Sequence, residues 1–239
     1  MLGRSRKAAR VRDVRAVWAA CSALLDYPTE ELVTSLDDLQ RLVPGNAHLS
    51  GLIAYLRDRP LREVQAEYVT TFDHARKCAL YLTYFAYGDT RRRGAALVQF
   101  KQTYRLGGVE WDEETGELPD HLCAVLQFGA TVDAALAAGL LSDHRAGVEM
   151  LRLALTGWRN DDGTTGSPWA GALLALCDTL PELRGEEADA VRRLVEQGPP
   201  AEDVGLAGYG ADPALSGSGA PSALGGPALI APATIPVRS

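Results

Sequence analysis

Apolar residues recur at intervals of three and four along almost the whole chain, the spacing with which one face of an α-helix meets a core. The first stripe consists of Val11, Val14, Trp18, Cys21 and Leu25. No segment alternates with the period of two that a half-buried strand shows, and runs of β-branched residues are absent. The sequence therefore predicts an all-α fold, a single bundle of about ten helices.

Proline and glycine divide this pattern into elements. Pro28, Pro44-Gly45 and Pro60 end the first three apolar stripes. Segments 61–72, 78–87 and 119–140 are each predicted to be one helix. Segment 78–87 is apolar nearly all round, which predicts burial on most sides, and Pro119 suits a first helical turn because it lacks a backbone N–H.

Composition changes at both ends of the chain. Residues 1–15 contain six Arg or Lys and one Asp, without the apolar region of a secretory signal, so residues 1–12 are predicted to be a solvated basic arm. Residues 13–197 form the predicted helical domain. In 198–239, 28 of 42 residues are Gly, Pro, Ala or Ser. Such a segment cannot bury enough apolar area to offset its ordering entropy, so it is predicted to be a largely disordered, flexible tail.

The formal net charge is −7, and because the N-terminal segment is basic, the remainder is close to −12. Phosphate binding needs a basic surface, so nucleic acid is excluded as the main partner and a cationic partner is favoured. The longest apolar runs are too short to cross a membrane, and the cytoplasm is the predicted location.

Two acidic–histidine doublets, Asp73-His74 and Asp120-His121, raise the alternative of a metal-dependent hydrolase. Metal sites need three or four converging ligands, and the remaining histidines lie in other helices. The four cysteines are isolated, without a CxxC motif or an adjoining oxyanion-type glycine turn. We therefore predict no metal, no cofactor and no catalytic residue, with the thiols buried in a reducing compartment.

An aromatic cluster occupies twenty residues in the middle of the chain. Its members are Tyr68, Phe72, Tyr81, Tyr84, Phe85 and Tyr87. One interpretation is core packing, expected above all for the two phenylalanines. The other is an aromatic groove with polar tips, because each buried tyrosine hydroxyl requires a partner.

A cluster of carboxylates follows in the sequence. Its members are Glu110, Asp112, Glu113, Glu114, Glu117 and Asp120. It is either a solvated loop or a surface that attracts a basic amphipathic peptide. The run Arg91-Arg92-Arg93 lies at a helix start, where cations are unfavourable, so we expect Arg91 to pair with Asp89 or Asp120.

Two sets of motifs resemble a known family. The first set, the central block, consists of Tyr68-Val69-x-x-Phe72-Asp73, Arg76-x-Cys78-x-Leu80-x-Leu82 and Gly88-Asp89-Thr90-Arg91-x-Arg93-Gly94. The second set is Glu117-Leu118-Pro119-Asp120-His121-Leu122, followed by Leu126-x-Phe128. With the run 196–206, they resemble the nitrate reductase molybdenum-cofactor assembly chaperones, also called the nitrate reductase delta subunit, over roughly residues 13–210. Cys123 and Gln127 depart from the family pattern, in which proline and glutamate are common.

The resemblance implies an all-helical fold shared with the chaperones of trimethylamine-oxide and dimethyl-sulfoxide reductases. It implies a protein that is not an enzyme and binds the basic N-terminal peptide of the apo catalytic (alpha) subunit of respiratory nitrate reductase. The peptide is held until the molybdenum cofactor is inserted, and the chaperone is not part of the final enzyme. Cofactor-delivery proteins are further candidate partners, a monomer or weak dimer is expected, and service to another molybdoenzyme is the alternative.

The expected binding mode is a client helix in a groove between segments 68–87 and 119–126, with carboxylates facing the client's cations. Pro119 would set the angle between two helical layers, with 108–119 as a hinge. The residues predicted to contact the client are Tyr68, Phe72, Asp73, Arg76, Tyr81, Tyr84, Asp89, Arg91, Glu117, Leu118, Pro119, Asp120, His121, Leu122 and Leu126.

Overall fold

The structure, a computed structural model, describes the backbone of residues 2–88, 91–160, 162–183 and 185–197. Side chains are described for these ranges between residues 13 and 193, apart from 115, 187 and 190. The predicted tail, 198–239, and the predicted client contact Asp89 lie outside these residues.

Eleven α-helices make up most of the described chain. They are α1 (Leu2–Leu25), α2 (Glu30–Leu42), α3 (Ala47–Arg57), α4 (Leu61–Tyr68), α5 (Tyr84–Tyr87), α6 (Arg91–Leu106), α7 (Leu122–Thr131), α8 (Ala134–Asp143), α9 (Arg145–Thr156), α10 (Ala170–Thr179) and α11 (Glu186–Gln197). The all-α prediction is confirmed, with two isolated β-bridges as the extended pairings within the described ranges. Helix α1 begins at Leu2, so it includes the segment that we expected to be a basic arm.

The core forms where α1 crosses α7 and α10, and α10 in turn packs on α3 and α9. Trp18 of α1 is buried, and its indole N–H donates a hydrogen bond to the Thr179 hydroxyl at 2.8 Å. Trp169, just before α10, is fully buried against the rings of Tyr68 and Phe72, with centroids 5.6 and 5.5 Å away. These contacts place two of the predicted client-binding residues inside the core.

The crossing of α1 and α7 depends on a glycine. A Cβ atom at Gly129 would lie 2.5 Å from a ring carbon of Trp18 and 2.7 Å from the Cβ of Ala137. These distances are shorter than van der Waals contact, so only glycine lets the helices approach this closely. The sequence pattern had placed Gly129 simply among the apolar positions of its helix.

The single helix predicted over 119–140 is wrong, because the chain breaks into α7 and α8 near Asp133. The Asp133 carboxylate accepts a hydrogen bond from the backbone N–H of Leu136 at 3.0 Å and so caps the start of α8. At the end of α7, Arg15 donates a hydrogen bond to the carbonyl of Val132 at 3.2 Å. A cap and a long-range contact therefore replace helical hydrogen bonds at this point.

The helix predicted over 78–87 is also wrong for most of its length, since only the four residues of α5 are α-helical. The N–H of Leu82 donates to the carbonyl of Asp120 at 3.1 Å, and the N–H of Leu122 donates to the carbonyl of Leu80 at 2.7 Å. Segment 80–82 is thus an extended piece, buried by the rest of the protein. Apolarity on all sides is equally compatible with a buried extended segment, so periodicity could not separate the two.

The helix predicted over 61–72 is confirmed only in part. Helix α4 ends at Tyr68, and the π-helical turn Val69–Asp73 follows it. The N–H of His74 closes this turn on the carbonyl of Val69 at 3.1 Å. The wider turn leads the chain toward the extended segment 80–82.

Candidate functional site

The two motif regions of the sequence meet at one place, which we call the corner: segment 80–82 paired with segment 120–122. The Pro119 carbonyl, next to this pairing, accepts a hydrogen bond from the buried Tyr104 hydroxyl of α6 at 2.6 Å. Pro119 therefore lies outside α7, which starts at Leu122, and its predicted place in the first helical turn is wrong. The backbone pairing, rather than the proline ring, determines the conformation here.

Asp120 is fully buried beneath the corner, with 0% of its surface exposed. Its Oδ2 accepts hydrogen bonds from the Thr83 backbone N–H at 3.1 Å and the Thr83 hydroxyl at 2.6 Å. The Arg93 guanidinium lies 3.6 Å from the same oxygen. The expectation that Asp120 faces the client's cations is therefore wrong: its charge is already compensated inside the protein.

Arg93 joins α6 to the corner. Its Nε donates to the Thr83 hydroxyl at 3.1 Å, and its guanidinium lies over the rings of Tyr81 and Tyr84, at 5.3 and 5.9 Å from their centroids. Cation–π attraction of this kind strengthens when the cation is partly desolvated. The expected pairing of Arg91 with Asp120 is wrong, because Arg93 occupies that position and Arg91 is exposed.

Five further residues of the predicted groove are buried as well. They are Tyr68, Phe72, Pro119, Leu122 and Leu126. The Tyr68 hydroxyl donates to the Leu25 carbonyl at 3.0 Å, and burial raises its pKa well above the ordinary value. These residues face α1 and α10 in the core, so the groove predicted between the two motifs is wrong for them. For Tyr68 and Phe72, core packing is the correct interpretation of the aromatic cluster.

The other predicted residues within the described ranges lie at the surface. Asp73, Arg76 and Arg91 are exposed, and Tyr81, Tyr84, Glu117, Leu118 and His121 are half-buried. The rings of Tyr81 and His121 contact each other at a centroid distance of 5.3 Å. Burial raises the pKa of the Tyr81 phenol, and its hydrogen bond to Glu117 raises it further. These half-buried groups form the outer side of the corner.

Asp26, at the end of α1, is a member of this surface that the sequence reasoning missed. Burial raises its pKa, while the N–H of Tyr27, donating at 2.8 Å, and His121 act in the opposite direction. Glu117 lies close enough to raise the Asp26 pKa through charge repulsion. A signal existed in the sequence: a carboxylate at the C-terminal end of a helix is unfavourable for the helix dipole, so it needs another reason to be there.

We call this surface the acidic corner, defined by the carboxylates of Asp26, Asp73 and Glu117 and the rings of Tyr81 and His121. Asp73 is included as the exposed carboxylate of the first motif, and its charge, like that of Asp26, raises the pKa of the Tyr68 phenol. The acidic corner presents negative charge around an aromatic pair. This surface suits a cationic side chain that lies next to apolar groups.

Metal-binding groups and reactive thiols were the alternatives that the sequence raised. No three His, Cys, Asp or Glu side chains there are arranged to hold a metal ion. Burial raises the pKa of the thiols, to about 11 for Cys78 and about 12 for Cys177, which leaves them protonated at neutral pH. Among these residues, no helix combines the length and the apolarity needed to pass through a bilayer.

The structure defines a class of protein: an all-α fold whose two motifs meet at a charged and aromatic surface. Comparison with known proteins gives the family. The model of the nitrate reductase delta subunit family matches residues 37–160, so the chain belongs to this family and the resemblance found in the motifs is confirmed.

Several relatives are similar over much of the chain. NarX, a nitrate reductase-like protein of Mycobacterium tuberculosis (strain H37Rv), is 36% identical over 171 residues, 68% of this chain, and this chain covers 24% of its length. The nitrate reductase molybdenum cofactor assembly chaperone NarJ of Bacillus subtilis (strain 168) is 32% identical over 145 residues, covering 58% of this chain and 78% of the relative. NarJ of Escherichia coli (strain K12) is 32% identical over 133 residues, 51% of this chain and 54% of the relative.

A solved structure shares the fold. The crystal structure of a candidate redox enzyme maturation protein from Archaeoglobus fulgidus superimposes with a TM-score of 0.52 at 20% sequence identity. The match covers 69% of this chain and 91% of that one. At this identity the likeness concerns the helical architecture alone.

Proposed function

We propose that this protein is an assembly chaperone that binds the N-terminal peptide of the apo catalytic subunit of nitrate reductase. It holds the peptide while the molybdenum cofactor is inserted and is not part of the final enzyme. Membership of the nitrate reductase delta subunit family supports the proposal, as do the chaperone names of the two NarJ relatives.

The observation that carries the proposal is the acidic corner. The carboxylates of Asp26 and Glu117 lie near the contact of Tyr81 and His121, and their partial burial strengthens the attraction for a cation because less water screens it. The exposed Asp73 adds a third negative charge from the first motif. A basic amphipathic helix provides what this surface lacks: Lys or Arg for the carboxylates and an apolar face for the rings and for the half-buried Leu118.

The buried residues of the two motifs have a different role in this proposal. Asp120, Thr83 and Arg93 are bonded to one another, so they fix the pairing of the two segments that carry Tyr81 and His121. They position the binding surface and do not contact the client. The motif therefore contains both a surface and the support beneath it.

The test is calorimetric titration of the full chain with a synthetic peptide of the catalytic subunit's N-terminus. We expect Asp26→Asn/Asp73→Asn/Glu117→Gln to weaken binding by at least about tenfold, equivalent to about 1.4 kcal/mol, and to flatten its salt dependence. Asp37→Asn/Asp38→Asn/Asp58→Asn is the matched control, since it removes three exposed carboxylates elsewhere with the same change of net charge.

Loss of affinity in the first variant alone supports the proposal. Equal loss in both variants would show a general effect of net charge, and undiminished binding by the first variant would remove the acidic corner as the client site. Circular dichroism of each variant establishes that the fold is retained.

A further inference from the structure

Helix α6 has a charge opposite to that of the chain as a whole. Its 16 residues include five basic residues and no acidic one, in a chain of net charge −7. Arg93 turns inward to Asp120, and Lys101 pairs with Glu113 at 2.7 Å. The remaining three, at positions 91, 92 and 105, are exposed, and none forms an ion pair with another residue in the described ranges.

The same helix carries the most exposed large apolar side chains of the described residues. Leu106 is 78% exposed and Val98 is 50% exposed, against 44% or less for the three others in this class. Leu106 and Val98 lie on one face of α6, because positions 91, 95, 98, 102 and 106 are separated by three or four residues. Gln102, Arg105 and Leu106 line a shallow, open depression at the end of this face.

The opposite side of α6 packs against the core through Phe100 and Tyr104. The Phe100 ring contacts the ring of His144 at 4.8 Å, and the Tyr104 ring contacts that of Phe128 at 4.9 Å. The Tyr104 hydroxyl is bonded to Pro119. With the helix anchored from one side, its outer side is free to present charge and apolar surface together.

We propose that the outer side of α6 is a docking surface for an acidic amphipathic helix of a partner protein. We call it the α6 face, and it is defined by Arg91, Arg92, Val98, Gln102, Arg105 and Leu106. Charge complementarity identifies the partner: the exposed arginines at 91, 92 and 105, which form no ion pair with another described residue, favour carboxylates. The client peptide of the acidic corner is basic, so the α6 face has a different ligand, and the inference goes beyond the proposed function.

The composition of the face favours a protein helix over other anions. Gly94 is exposed, and a Cβ atom added there would meet nothing within 4 Å, so another helix can approach the backbone closely at this end. Leu106 and Val98 would be buried by the partner's apolar stripe, whereas phosphate groups of a nucleic acid would leave them in water. Two apolar side chains are too few to insert into a membrane.

The test uses designed peptides of the same 16-residue length as α6. The probe carries leucines at helical spacing with glutamates between them, and a scrambled peptide of equal composition and a lysine-substituted peptide are the comparisons. We expect the full chain to bind the acidic amphipathic peptide at least about tenfold more tightly than the scrambled one. Val98→Ser/Leu106→Ser should reduce this affinity by about tenfold, as expected for loss of buried apolar area.

Reversing the charge of the exposed arginines is the decisive experiment. Arg91→Glu/Arg92→Glu/Arg105→Glu should transfer the preference from the glutamate peptide to the lysine peptide. Leu42→Ser, an exposed leucine of α2, is the matched control and should leave binding unchanged.

Three outcomes would overturn the proposal. The first is equal binding of the amphipathic and scrambled peptides. The second is Leu106-dependent binding to anionic phosphatidylglycerol vesicles in place of the peptide, which would assign the face to a membrane. The third is a dimer in sedimentation that Val98→Ser/Leu106→Ser dissociates, which would assign it to a second copy of this chain. Binding of the basic client peptide is independent of all three, so this proposal and the proposed function fail separately.

Discussion

Replacing Asp120 with alanine tests whether this residue supports the corner or contacts the client. The change removes the Asp120 carboxylate from its ion pair with the largely buried Arg93, and it removes the acceptor for both the N–H and the hydroxyl of Thr83. Breaking a buried charge pair by removing one partner costs about 3–5 kcal/mol. Asp120→Asn keeps an acceptor but loses the charge, so we expect a smaller cost of about 1.5–3 kcal/mol.

The assay is equilibrium unfolding in urea, followed by circular dichroism at 222 nm. With a urea dependence of about 2–3 kcal/mol per molar, the alanine variant should unfold at a midpoint lower by roughly 1–2 M. Asp73→Ala is the matched control: Asp73 is exposed, so its loss should change the free energy of unfolding by no more than about 0.5 kcal/mol.

A double variant separates the ion pair from the side chains themselves. Removing Arg93 together with Asp120 leaves no buried charge, so the double variant should lose less than the sum of the two single losses. A midpoint for Asp120→Ala equal to that of the unchanged protein, together with lost peptide binding, would falsify the structural role and return the carboxylate to the binding surface.

The remaining predictions concern packing, pH and thiol reactivity. Gly129→Ala forces a Cβ to 2.5 Å from a tryptophan ring carbon and should lower the free energy of urea unfolding by about 1–3 kcal/mol. Gly139→Ala is the control: it lies in an exposed helical position with open space around it, so alanine there should stabilise the protein by up to about 1 kcal/mol. An unchanged midpoint for Gly129→Ala would contradict the crossing of α1 and α7. The Glu149 carboxyl has its pKa raised by burial and lowered more strongly by hydrogen bonds from two arginines, so its net pKa lies below 4.5. The stabilisation by the Glu149 carboxylate is therefore fully present above pH 4.5 and is lost as pH falls through the lowered pKa. The difference in unfolding free energy between Glu149→Gln and the unchanged protein, measured in urea at several pH values, should shrink in that range. A difference independent of pH would refute this prediction. With pKa values of about 11 and about 12, the thiols of Cys78 and Cys177 should react slowly with a disulfide reagent at pH 8 in the native protein and rapidly in urea, and equal rates in both conditions would contradict their burial.

Much of the fold could be predicted from the sequence, because helical periodicity is a local property. The proline and glycine stops defined the ends of the first three helices close to their observed positions, whereas the start of α1 was missed. Periodicity could not separate a buried extended segment from a buried helix, so segment 80–82 was assigned wrongly.

The candidate site shows the same division. Its location could be predicted, because the motifs around Tyr81 and His121 did come together at the corner. Which motif residues face the solvent could not be predicted, since a charged residue in a motif has no local signal for burial. Asp120 has a long-range partner, Arg93, and that pairing exists only after α6 has packed.

By itself, then, the sequence determined the all-α class, the ends of several helices and the family, since these depend on local spacing and on short motifs. Only the tertiary structure decided that Asp120 supports the corner while Asp26 joins its surface, because burial and charge compensation depend on residues distant in sequence. It also decided that one side of α6 remains outside the core, with its arginines and Leu106 exposed.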